Sequence, residues 1–235
     1  GAGGERGVYK TTDGGLTWGA SRGISSGGQP SKLIIAVDSL RNLYVAYVTN
    51  ESGVSAYRAI VVRTSTDGGL TWGALRAVVD PPGAYADNPA LAIDSSSTLY
   101  LVSMSCGSTE LYVCGTYNLS FRTSTNGGLT WGARRDITQS ASSITSGVTA
   151  ILTVPTIAID SARNLYVAYH SLEYNGTYNN IALRTSTNGG ITWGARQNLT
   201  TSTSAFQVFP SIALTPSGTL AVAYQSLEYN SGTSN

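Results

Sequence analysis

Charge is scarce in this 235-residue chain: 11% of its residues are Asp, Glu, Lys or Arg, and they sum to a net +1. So flat a balance supplies neither a basic stripe for nucleic acid nor a footprint for an anionic membrane, and neither is an expected partner. Histidine occurs once and cysteine twice, which excludes a zinc centre of the usual four-ligand kind; no metal and no cofactor are expected. No apolar run approaches the roughly 20 residues of a membrane span, and Gly1 to Lys10 lacks the apolar segment of a signal peptide. The first residue is Gly, so a processed, excised or incomplete chain is expected.

What the chain has instead is Gly (27 residues) and Ser plus Thr (58 residues), arranged in a repeat. Thr11 to Gly19, Ser65 to Gly73, Ser124 to Gly132 and Ser186 to Gly194 are four copies of one phrase, with Asp13, Asp67, Asn126 and Asn188 in the same place and Trp18, Trp72, Trp131 and Trp193 closing each copy. The acidic or amide positions are 54, 59 and 62 residues apart, a period that signals an array of one supersecondary unit. A second phrase recurs between them: Ile35 to Tyr47, Leu91 to Val102, Ile157 to Tyr169 and, more loosely, Ile212 to Tyr224. Its two apolar, β-branched and aromatic runs flank an Asp/Ser/Asn turn, as in a hairpin. A third strand, such as Ala59 to Arg63 or Ile181 to Arg184, leads into the Gly-Gly phrase, and a fourth, such as Gly73 to Val79, leaves it. Four antiparallel strands per repeat make a propeller blade.

The Gly-Gly phrase itself resembles the Asp box of the sialidase-like superfamily, whose pattern Ser-x-Asp-x-Gly-x-Thr-Trp is matched in full at 65 to 72 and with Asn for Asp at 124 to 131 and 186 to 193. The resemblance covers the whole chain. It implies an all-β fold, here a four-bladed β-propeller of four-stranded antiparallel blades, as a single domain over 1–235. The blades fall at about 31–80, 88–138, 155–200, and 210–235 completed by 7–24. The superfamily includes sialidases, other glycoside hydrolases, sortilin-type receptors and non-catalytic assembly factors, so fold does not fix activity.

Within the box, Asp or Asn is expected to cap the turn while the glycines take positive φ, and the Trp to anchor the following strand in the sheet. Asp13 and Asp67 also allow a calcium-loop reading, but an amide stands in their place at 126 and 188. A catalytic sialidase would bring three arginines together on the substrate carboxylate. Here Arg63, Arg122 and Arg184 share one repeat position, Arg22, Arg76 and Arg135 another with Arg134 and Arg196 beside it, and Arg41 and Arg163 a hairpin turn; only Arg6 and Arg58 escape the pattern. The Phe/Tyr-Arg-Ile-Pro motif is absent as well, and a structural, adhesive or assembly module outside the cell or on its surface is expected, with no catalytic residues. The rival is a glycan-binding or glycoside-cleaving propeller using the irregular loops on the face opposite the tight turns. For that rival the candidate ligand residues are Tyr57, Tyr85, Tyr117, Tyr174, Tyr178 and Tyr229, with Glu173 and Glu228 readable either as paired carboxylates or as duplicated loop stabilisers.

Cys106 and Cys114, eight apart in a Gly/Ser segment, are read as a disulfide, which implies an oxidising setting. Asn50, Asn118, Asn175 and Asn198 begin Asn-x-Ser/Thr sites that permit glycosylation. The first residues supply a third strand (Gly7 to Thr12), an Asp box and a fourth strand; the last supply a first and second strand (Pro210 to Gln225). Head and tail are therefore expected to share a blade, either within one molecule or between neighbours, in which case the chain associates with itself.

Overall fold

The computed structural model describes residues 7–24, 30–49, 59–78, 85–106, 118–138, 154–172 and 177–227. Every regular element among them is a β-strand, and all pairings are antiparallel. After β1 (Gly7–Val8) and β2 (Arg22–Gly23) come three four-stranded sheets, each in sequence order. The first contains β3 (Ser31–Val37), β4 (Leu43–Thr49), β5 (Ala59–Ser65) and β6 (Arg76–Ala77). The second contains β7 (Tyr85–Ile93), β8 (Leu99–Cys106), β9 (Asn118–Ser124) and β10 (Arg135–Asp136). The third contains β11 (Thr156–Ile159), β12 (Leu165–Ser171), β13 (Asn180–Ser186) and β14 (Gln197–Asn198), and a hairpin of β15 (Phe206–Leu214) and β16 (Leu220–Leu227) follows.

The second strand of each sheet is apolar on both faces because a sheet covers it on both sides. Tyr44, Ala46 and Val48 of β4 join Leu91, Leu99 and Leu101 of the next sheet in one core, while Val45 and Tyr47 of the same strand pack with Ile24 on the other side. A third core joins Phe121 and Tyr100 of the second sheet to Leu165, Val167 and Tyr169 of the third.

The hairpin turns are held by carboxylates, buried at Asp38 and Asp94 and half-buried at Asp160. Asp38 Oδ1 accepts the N–H groups of Leu40 (2.9 Å) and Asn42 (2.8 Å), and Oδ2 accepts the Tyr44 hydroxyl (3.0 Å). Asp94 and Asp160 do the same for Tyr100 and Tyr166. Turns of successive blades are tied together: Ser97 Oγ donates to Asp38 Oδ2 at 3.1 Å, and Arg163 Nε lies 3.1 Å from Asp94 Oδ2.

The Asp-box turn is capped the same way with acid or amide. Asp67 Oδ1 accepts Ser65 Oγ (2.7 Å) and Thr71 N–H (2.9 Å), with Thr71 Oγ1 donating to Oδ2 (2.5 Å). Asn126 Oδ1 accepts Ser124 Oγ (2.9 Å) and Thr130 N–H (3.0 Å), and its Nδ2 donates to Thr130 Oγ1 at 2.8 Å. Asn188 repeats the Asn126 pattern, and Asp13 the Asp67 pattern. The Trp does something the sequence reading did not expect. It reaches across to the preceding blade: Trp131 joins the core with Tyr44 and Val62, and Trp193 meets Phe121 edge-on at 5.3 Å.

Among the described residues, 7–8 pair with 22–23 and β15 pairs with β16, so the two terminal pieces are separate two-stranded sheets. The predicted strand from Gly7 to Thr12 shortens to β1. Residues that the full blades bury stay open here: Tyr224 is 47% exposed where its counterparts Tyr47 and Tyr169 are 0% and 1%, and Trp18 is 61% exposed. A groove of about 800 Å³ lies beside the N-terminal sheet, with Trp18, Ile35, Val37 and Leu40 on its wall.

Candidate binding site at the bulged strand ends

The innermost strands β3, β7, β11 and β15 pack in series, and their first residues lie at the end that carries the inter-blade connections. Three of them bulge at the same place. Register shifts fall between Ser31 and Ile34, Asp87 and Ala90, and Val208 and Ser211. Each bulge contains a non-glycine residue at positive φ: Lys32 (55°), Asn88 (51°) and Phe209 (52°). A bulge bends its strand and re-aims a side chain, and a left-handed Lys or Phe is an outlier that a local scaffold must hold. A cavity of about 440 Å³ opens there, walled by Lys32, Asn88, Pro89, Pro155, Phe209 and Pro210 among others.

Buried polar groups gather at this end of the blades. Asp87 is fully buried, and its Oδ1 accepts the Asn88 N–H at 2.8 Å. His170, also fully buried, accepts the Phe209 N–H at Nδ1 (3.4 Å), and the Phe209 ring stands edge-on to the imidazole at 5.9 Å. Asn180 knits the neighbouring loop, accepting Ser202 N–H at 2.6 Å and donating to the carbonyls of Tyr178 and Ser202. Ser103 and Ser120 share a 2.9 Å hydroxyl contact.

Of the residues singled out from sequence, Tyr178 is half-buried with its ring against Phe206 at 5.2 Å. Tyr85 begins β7 opposite Cys106. Tyr57, Tyr117, Glu173, Tyr174, Glu228, Tyr229, Cys114, Asn50 and Asn175 lie outside the described residues, and with them the Cys106–Cys114 bridge and the Glu pair. Asn118 is half-buried at the start of β9, and Asn198 is exposed on β14. Sequence reasoning missed Asp87, His170 as a support, and Phe209. The signal for Asp87 was present: among the described residues it is the one carboxylate outside the Asp boxes, the hairpin turns and β10.

Five of the described arginines are committed elsewhere. Nη1 of Arg122 and of Arg184 donates to the carbonyls of Gly132 (2.8 Å) and Gly194 (3.0 Å), and Arg63 Nη1 to Ile24 O (2.7 Å). Arg134 pairs with Asp136 at 2.8 Å, and Arg163 with Asp94. Among the described residues, no group of three or more His, Cys, Asp or Glu could hold a metal ion, and no helix is long and apolar enough to cross a membrane. Hydrogen bonds shift the turn carboxylates. The Thr71 hydroxyl, then its N–H and Ser65, hold Asp67 well below the usual carboxylate range. At Asp38, burial pushes the acid up, but Asn42, Tyr44 and Ser97 together outweigh it and the net shift is down.

Blades with capped Gly-Gly turns, packed by Trp along a series of inner strands of which three are bulged, define a propeller-type repeat protein. A family model described as a BNR repeat-like domain matches residues 57–233, and the chain belongs to that family, within the sialidase-like superfamily. A comparison with curated proteins gave no match. Among solved structures, the chain is similar to the Hadza microbial sialidase Hz136 (14% identity, TM-score 0.60, covering 87% of this chain and 47% of that one). It is similar to a Penicillium chrysogenum alpha-L-arabinanase complexed with arabinobiose (16%, TM-score 0.60, 84% and 57%). A protein of unknown function from Dyadobacter fermentans aligns at 12% identity and TM-score 0.66, over 85% and 63%. The chain thus spans about half the length of these proteins, and at such identities the likeness is one of fold.

Proposed function

We propose that this chain is a non-catalytic propeller module that recognises a carbohydrate at a mouth formed by the bulged strand ends and serves an adhesive or structural role outside the cell. One observation carries the reading: the mouth is a shaped cavity walled by four inner strands, with bulges aiming one Lys, one Asn and one Phe at it. Pockets that mix apolar walls with a few convergent polar groups are the usual form of a small-ligand site. The arginine bonds to backbone carbonyls support a blade-stiffening role for those cations rather than capture of a substrate carboxylate. The sialidase and arabinanase likenesses supply the ligand class, a saccharide. The test is equilibrium binding of arabinobiose and of a sialoside to the 235-residue chain, with product analysis of each mixture. Binding of at least one without bond cleavage is expected; turnover, or no binding to either, overturns the reading.

The two terminal sheets favour a finer architecture. β15–β16 correspond to the inner pair of a blade and β1–β2 to its outer pair, and each leaves apolar residues open where the other kind would sit. We take them as complementary halves of one blade, the groove beside Trp18 receiving β15–β16. The Cys106–Cys114 disulfide is kept as part of this proposal and is read directly by intact mass before and after alkylation.

A further inference from the structure

We propose that Phe209 is a preformed stacking platform for a sugar ring, and that His170 is the positioning residue that holds it; this rests on the carbohydrate reading of the mouth. The first observation is exposure in the wrong place for packing. Phe209 is 48% exposed on an inner strand, at φ 52°, on the wall of the mouth cavity. A bulky residue in the left-handed region is strained, and such strain persists only where surrounding structure fixes it. The second observation is that fixing structure. His170 is 0% exposed, accepts the Phe209 N–H, and sets its imidazole edge-on to the Phe209 ring.

The position of His170 is telling. Its counterparts in the preceding blades, Val48 and Met104, are buried apolar residues, and only in the third blade does a ring nitrogen face the bulge. Pro210 follows Phe209 and limits the backbone further. One face of the aromatic ring therefore meets the cavity with little freedom left to lose on binding. An aromatic face carries negative charge density, and the axial C–H groups of a furanose or pyranose present the complementary positive edge. All four tryptophans belong to the Asp boxes, and Phe209 is the described aromatic on the wall of this cavity.

The experiment measures arabinobiose and sialoside binding to wild type, Phe209→Ala, Phe209→Tyr, His170→Leu and His170→Asn, with a melting curve for each. Whichever sugar wild type binds is expected to weaken about tenfold or more with Phe209→Ala and to be retained by Phe209→Tyr. His170→Leu should weaken binding similarly while His170→Asn, which keeps an acceptor, restores it. Folded Phe209→Ala protein that binds as wild type overturns the platform and leaves the carbohydrate reading standing. Wild type that binds neither sugar overturns both. Equal loss with His170→Leu and His170→Asn, in folded protein, overturns the positioning role alone.

Discussion

Gly190 lies so close beneath the ring of Phe121, which belongs to the preceding blade, that a Cβ at that position would overlap the ring. Gly190 also has φ +81°, so two demands meet on one residue, and the Asp box acts as a clasp between blades as well as a turn. Thr64 Oγ1 reinforces this by donating to Gly127 O of the next box at 3.0 Å. Gly189, next in line, has φ +68° with open space around it. Gly189→Ala should cost about 1 kcal/mol for its backbone alone, and Gly190→Ala an additional ~1–3 kcal/mol for overpacking, read by chemical denaturation. Equal losses would contradict the clasp.

The turn caps predict that Asp67→Asn leaves stability at neutral pH nearly unchanged, whereas Asn126→Ala loses about 1 kcal/mol. Asp67 has a lowered folded pKa, so its contribution is present above the unfolded carboxylate value and disappears as pH falls through the folded one. Asp67→Asn should therefore soften acid unfolding in a pH-dependent melting series. A melting temperature raised by calcium and insensitive to calcium after Asp67→Asn would favour the ion-loop reading instead.

Tyr100 gives the alkaline counterpart. Burial, then the hydrogen bond and charge of Asp94, push its hydroxyl up to about 12. Because the folded pKa is raised, the stability it adds is complete below the unfolded value near 10 and is lost as pH rises towards 12. Tyr100→Phe should be destabilised near pH 7 by about 1 kcal/mol and show a shallower decline between pH 10 and 12. Parallel wild-type and variant curves across that window would refute the assignment.

The terminal halves predict association or closure that depends on Trp18. Light scattering across a concentration series separates the outcomes: a monomer at all concentrations supports closure within one molecule, and growth of mass supports completion between molecules. Trp18→Ala should lower the melting temperature in the first case and reduce mass in the second. Neither effect would remove the shared-blade proposal.

The blades were legible because their signals are local and repeated. Asp, Gly-Gly and Trp mark each turn, and Leu43 to Tyr47 and its copies announce strands covered on both faces. The mouth was less legible because it depends on departures from the repeat. Bulges at Lys32, Asn88 and Phe209 arise from register between β3, β7, β15 and their partners, which no single segment encodes. His170 is a single histidine in a strand of mostly apolar residues, and its partner is 39 residues away in sequence. The role of Trp was only partly legible for the same reason: local pattern places it at the start of a strand, and the surface it reaches includes another blade.

Amide hydrogen exchange with and without a saturating saccharide tests the central claim most directly. Arabinobiose, or the sialoside if that is the sugar bound, should slow exchange at residues 31–34, 86–91, 156–157 and 206–212, with little change at the Asp-box turns. Protection confined to the Asp-box face, or none under conditions where binding is measured, would contradict the placement of the site at the bulged strand ends.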